Sequence, residues 1–260
     1  MTADRPGVAP AAPAPATPGR ARTTPHRRAL HRRGLHRLRQ HHRRAPGSSA
    51  AKVFAVLAAV RIAGAVSMPL MVLSVGLSAA VIAVLDRAGW AAAGLRRFRL
   101  LPALAGTGLV VLAYADTVFA TRAAFGRGAD NWTSLVPELF RQMAPGQPVV
   151  AGTAMVLCMG FLVPLVEEVC YRGVLFDAVE RTRGPLVAIA VTSAGWALVH
   201  LGDYGLNPFN ARVICGVLPS VFAMGVALGV CRAWTGSALA SAVAQGTANL
   251  LLLAWVLWAL

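Results

Sequence analysis

From Ala50 onward the chain alternates long apolar runs with short polar breaks, and each run is close to the roughly 20 residues that span a bilayer as a helix. Six spans are expected: Ile62–Leu85 with Pro69 as a kink, Leu100–Ala120, Val149–Glu180, Leu186–Leu201, Val213–Cys231 and Ser237–Trp258. Only the connection Arg122–Pro148 is long. It carries Trp132, Leu135, Leu139 and Phe140 among polar residues, which predicts a helix lying in the membrane interface. The fold class is therefore all-α, a polytopic helical membrane protein of about six transmembrane helices. Its expected parts are a tail over 1–49, N-terminal helices with the interfacial linker over 50–148, and a core over 149–260 that holds most of the polar chemistry.

Composition supports the membrane reading. The chain is 57% hydrophobic and only 13% charged, whereas a soluble domain has about a quarter of its residues charged. The net charge of +15 is not spread over the molecule, because eleven arginines and five of the six histidines precede residue 50. That tail is Pro/Ala-rich to Pro18 and Arg/His-rich from Arg20 to Arg44, a composition expected to stay disordered. It is expected to hold the N-terminus in the cytoplasm against anionic lipid. No aromatic residue is interleaved with its basic ones, so nucleic acid is not the expected partner. The first apolar run starts too far in, and is too long, for a cleavable signal peptide. With an even span count both termini are expected to be cytoplasmic, although Arg87, Arg96, Arg97 and Arg99 between the first two spans oppose this. The Arg-heavy, Ala-rich usage suggests a bacterial plasma-membrane protein. Cys158, Cys170, Cys215 and Cys231 make no CxxC pair and read as apolar packing residues.

Two adjacent carboxylates interrupt this pattern. No charged residue occurs from Val149 to Val166, and then come Glu167 and Glu168, with Arg172 four residues after the second. A carboxylate at bilayer depth costs at least about 2.5 kcal/mol and is expected to face a bundle interior or a cavity. Glu168 and Arg172 stand one helical turn apart in the favoured order for an ion pair. Glu167 is left without a local partner and suits a general base acting on water. The turn signal Arg183-Gly184-Pro185 lies sixteen residues from both Glu167 and His200, which puts them at one depth on neighbouring antiparallel helices. Gln245 and Asn249 share a face of the last span at a similar depth and offer amide N–H donors suited to an oxyanion. His200 is placed to hold water, ligate a metal or donate to an anionic intermediate. The bland alternative for each group is a structural hydrogen bond between helices.

Glu167-Glu168-Val169-Cys170-Tyr171-Arg172-Gly173 resembles the EExxxR motif of the CAAX protease and bacteriocin-processing (CPBP, or Abi) family. Trp196-Ala197-Leu198-Val199-His200 is similar to its FxxxH motif, with Trp for Phe, and Gln245-Gly246-Thr247-Ala248-Asn249 stands where HxxxN or HxxxD is expected. The similarity covers about Val149–Leu253. It implies an all-helical intramembrane endopeptidase with a peptide or protein substrate, lipidated or not. By the resemblance Glu167 activates water with Glu168 as its motif partner, His200, Asn249 and Gln245 are the other catalytic positions, and Arg172 is structural support. Gln245 departs from the usual His. Zinc sites use His, Cys and carboxylates, so a chemistry without metal is favoured, with zinc on Glu167 and His200 as the alternative. The competing reading is a non-catalytic scaffold or bacteriocin self-immunity protein with a degenerate site. A transporter is disfavoured, since beyond the glutamate pair only Asp116 and Asp177 are acidic residues set within apolar runs.

Overall fold

The computed structural model describes residues 93–258, and before them positions 56, 58, 59, 61–63, 90 and 91. The Arg-rich tail and nearly all of the first expected span lie outside the described residues. From Leu100 on, the described residues form six helices: α1 (Leu100–Phe125), α2 (Trp132–Met143), α3 (Pro148–Arg183), α4 (Pro185–Asp203), α5 (Ala211–Thr235) and α6 (Ala238–Trp258). No strand is present among them. All but α2 are long and apolar enough to cross a membrane, which makes this an all-α polytopic membrane protein. The expected second to sixth spans each correspond to one of these five helices. The described residues at 56–63 are helical too, so helix begins before Ile62 and Arg61 sits within it rather than at its edge.

The bundle is wound around α5 and α6. α5 packs on α4 and α1, while α6 packs on α1 and on the middle of α3. α3 and α4 form the expected hairpin: Gly184, with φ of 84°, makes the turn between Arg183 and Pro185. The long connection does contain a helix, but α2 buries Trp132, Val136 and Phe140 in the core instead of only resting on a surface. Asn131 caps it by accepting from Thr133 N at 3.1 Å, and Trp132 Nε1 donates to Ser220 Oγ of α5 at 3.1 Å. Asn210 and Arg212, at the start of α5, donate to Asp130 at 2.9 and 3.2 Å. Hydrogen bonding from Asn210, with Arg212 beside it, holds the Asp130 carboxyl below its usual range. These contacts fix α2 as a wall over the bundle interior.

α3 is not a regular α-helix, as its apolar pattern suggests. Two π-helical segments, Cys158–Leu162 and Val169–Leu175, flank a short α stretch, Val163–Glu168. Pro164 has no N–H for the Gly160 carbonyl four residues earlier, so the backbone ladder is already broken there. Each π segment hands a carbonyl to another helix: Asn249 Nδ2 donates to Met159 O at 2.8 Å, and Arg232 Nε donates to Arg172 O at 2.9 Å. α6 comes close enough for this because of Gly246. A methyl group there would lie 2.2 Å from the Gly160 carbonyl oxygen.

Gly246→Ala should therefore force α6 off α3 and destabilise the bundle by about 1–3 kcal/mol, the usual cost of overpacking. Gly152→Ala is the control, since a methyl group there meets nothing within 4 Å. Thermal unfolding in detergent should show a lower Tm for the first variant only.

Candidate active site

Glu168 and Arg172 form the expected pair. Both are fully buried, and Arg172 Nη1 donates to Glu168 Oε1 at 2.7 Å. The second guanidinium nitrogen, Nη2, donates to the Gly225 carbonyl of α5 at 3.0 Å. Its face lies 4.9 Å from the Trp196 ring of α4 and 5.8 Å from that of Tyr171. One cation thus joins α3, α4 and α5, and the pair is a pin between helices.

Glu167 points elsewhere. It has no partner on α3, as expected, yet both its oxygens are engaged from distant helices. Gln245 Nε2 donates to Oε2 at 2.8 Å, and Arg61 Nη1 donates to Oε1 at 3.3 Å. Arg61 in turn grips Asp203 at the end of α4, through Nε to Oδ1 at 2.9 Å and through Nη2 to Oδ2. His200 Nδ1 lies 2.8 Å from the Trp196 carbonyl. A carbonyl only accepts, so Nδ1 carries the proton and Nε2 of the neutral ring is an acceptor.

Glu167, His200, Gln245 and Asn249 line one cavity of about 300 Å3, together with Arg61 and Asp203. Its remaining walls are largely apolar, from α2 (Val136, Leu139, Phe140) and α3 (Met159, Leu162, Val163). Glu168 and Arg172 do not line it. The expected convergence therefore holds for four of the residues, with the ion pair packed behind them. The amide roles differ from expectation, because one N–H of Gln245 is spent on Glu167 and one of Asn249 on the Met159 carbonyl. Each amide nitrogen carries a second hydrogen, and the Gln245 head also lies beside the Tyr114 hydroxyl, another side chain of the cavity lining. Trp196 Nε1 and Gln245 Oε1 are buried with no partner among the described residues.

These donors do not make a good zinc site. Among the described residues, no three His, Cys, Asp or Glu side chains group so as to hold an ion. Glu167 already faces a guanidinium and an amide N–H, and Asp203 is taken by the same guanidinium. A divalent cation there would sit against Arg61 with His200 as its one neutral ligand, and the residue in the third-motif position is an amide.

Arg61 and Asp203 were not among the expected site residues. The signal existed: Arg61 is the sole charged residue between Lys52 and Asp86, and an ionisable group inside an apolar run marks a functional or paired position. Arg61 stands one position before Ile62, where the expected first span begins. Asp203, three residues after His200, falls two residues past Leu201, where the expected fourth span ends.

Fold and cavity together define a polytopic helical membrane protein with a carboxylate-centred interior site. Residues 149–251 match the profile of the family described as Type II CAAX prenyl endopeptidase Rce1-like. The match covers the stretch from α3 into α6 that carries the three motifs, so over that stretch the chain is similar to the CAAX protease family. No curated protein and no solved structure matches the chain. Arg61, α1 and α2 lie outside the matched stretch.

Arg172→Ala should strand Glu168 in the core and destabilise the protein by about 3–5 kcal/mol, the range for breaking a buried pair. Replacing both partners, Glu168→Leu with Arg172→Met, should recover much of the lost Tm, because no charge is then left unpaired. A double variant no more stable than Arg172→Ala would show that the pair does more than balance its own charges.

Proposed function

We propose that the protein is an intramembrane endopeptidase of the CAAX type, hydrolysing a peptide bond with water activated by Glu167. The observation that carries this reading is a nearly buried carboxylate held by donors on both oxygens, in the wall of a largely apolar cavity that also presents His200. Each Glu167 oxygen keeps a lone pair after its one hydrogen bond. A water donating one hydrogen to Glu167 and the other to His200 Nε2 turns its own lone pair toward a substrate carbonyl.

As the water attacks, Glu167 takes its proton and the carbonyl oxygen becomes an oxyanion. The remaining N–H of Gln245, that of Asn249, and the unpartnered Trp196 Nε1 are the donors in this cavity suited to that charge. When the C–N bond breaks, Glu167 returns the proton to the leaving nitrogen, which leaves a carboxylic acid and an amine. The chain's own groups thus balance the reaction, and no step is routed through a metal. The apolar walls suit a hydrophobic or lipidated peptide, in line with the prenyl endopeptidase description of the matching family. Orientation with both termini in the cytoplasm, and residence in a bacterial plasma membrane, are part of the same proposal.

The test is cleavage of a fluorogenic peptide ending in a farnesylated CAAX sequence, by the purified chain in lipid vesicles. Glu167→Gln should insert and fold normally and cleave nothing. Gln245→Ala should lower kcat by about two to three powers of ten, the scale of one lost oxyanion donor. Gln245→His, which restores the usual family residue, should keep or raise the rate. Cleavage by Glu167→Gln at the native rate would overturn the mechanism. A native chain that cleaves neither this peptide nor its unlipidated form would favour a scaffold or self-immunity role.

A further inference from the structure

We propose that Arg61, anchored by Asp203, is a positioning residue for Glu167; this rests on the endopeptidase reading and adds a helix outside the family core to the site. The guanidinium is divided between two carboxylates. Nε and Nη2 engage Asp203, and Nη1 is left for Glu167 Oε1 at 3.3 Å. Gln245 holds the other oxygen at 2.8 Å. A carboxylate tethered at one oxygen can still swing about its terminal torsion, whereas donors on both oxygens fix its plane. The planar fork of arginine serves two carboxylates at once, which the point charge of a lysine does poorly.

The backbone is shaped for this contact. A methyl group at Gly202 would lie 2.4 Å from the Arg61 carbonyl oxygen and 3.1 Å from the Ile62 Cα. Gly202 thus admits the Arg61 backbone against α4, and the next residue, Asp203, takes its side chain. The Gly-Asp pair at the end of α4 is a docking point for that one arginine.

Stability alone does not account for the arrangement, since a buried ion pair is often no more stabilising than apolar groups of the same volume. Charge balance during turnover does. Arg61, Asp203 and Glu167 together carry one net negative charge. When Glu167 accepts the proton of water, Arg61 and Asp203 still neutralise each other, so the transfer leaves no unpaired cation in a low-dielectric site. Without Asp203 the guanidinium would be stranded at that moment.

The experiment compares native chain, Arg61→Ala, Arg61→Lys, Asp203→Asn and Gly202→Ala in the vesicle assay, with Tm recorded for each. Arg61→Ala should lower kcat by about 10- to 100-fold, the scale of a misplaced catalytic group, with KM little changed. Millimolar guanidinium ion should restore part of that rate, and Arg61→Lys should lie between the two. Gly202→Ala should lose activity like Arg61→Ala although the arginine is still present, and Asp203→Asn should also lower kcat. Arg61→Ala turning over at the native kcat would overturn the positioning role while leaving the endopeptidase intact. So would a loss that tracks Tm alone, with no rescue by guanidinium. A native chain inert toward the peptide would overturn both.

Discussion

Two neighbouring carboxylates inside an apolar bundle set the terms for everything around them. Neither can be left without donors, because an unpaired buried charge costs several kcal/mol. On a helix, consecutive side chains diverge by about 100°, so a single partner cannot serve both. Glu168 is answered by Arg172, whose remaining contacts tie α3 to α4 and α5. Glu167 is answered by Gln245 from α6 and Arg61 from the N-terminal side. The helices that meet at this centre are those that bring a donor to it.

The irregular backbone of α3 belongs to the same solution. A regular helix satisfies its own carbonyls and offers none to its neighbours. The π segments on either side of Val163–Glu168 break that self-sufficiency, and the Met159 and Arg172 carbonyls are met by Asn249 and Arg232. In an apolar surrounding such a released carbonyl must find a donor within the protein. The short α stretch carrying the glutamates is thereby held at both ends by lateral hydrogen bonds. That tethering steadies one carboxylate toward the cavity and the other toward the core.

Much of this was legible in the residues. Apolar run length located the five spanning helices among the described residues, and Gly184-Pro185 located the hairpin that brings α3 beside α4. Counting residues from that turn put Glu167 and His200 at one level, the last hairpin put Gln245 at a similar depth, and a 2.8 Å hydrogen bond joins Glu167 to Gln245. Three things were not readable. A π turn adds one residue to a helix without altering its apolar character, so composition gives no sign of it beyond Pro164. The partner of Glu167 comes from 106 residues away, and no spacing rule reaches across that distance. The orientation of the amides depends on competition among acceptors: Asn249 is drawn to a backbone carbonyl that exists only because the π segment releases it.

The glutamine in the third motif is best understood through that competition. A histidine there has two ring nitrogens at fixed angles, and a neutral ring has only one donor. The primary amide of Gln245 has two N–H groups and a carbonyl on one planar head. One N–H orients Glu167, which leaves the second N–H and the unpartnered Oε1. On the endopeptidase reading these two atoms are complementary to a substrate peptide group, which offers a carbonyl oxygen and an N–H of its own. A buried amide acceptor without a partner is costly in the resting protein. Engaging it as the scissile bond comes into place converts that cost into binding energy at the reacting centre. On that reading, the glutamine standing where the motif usually has His is a group able to hold both the base and the peptide bond.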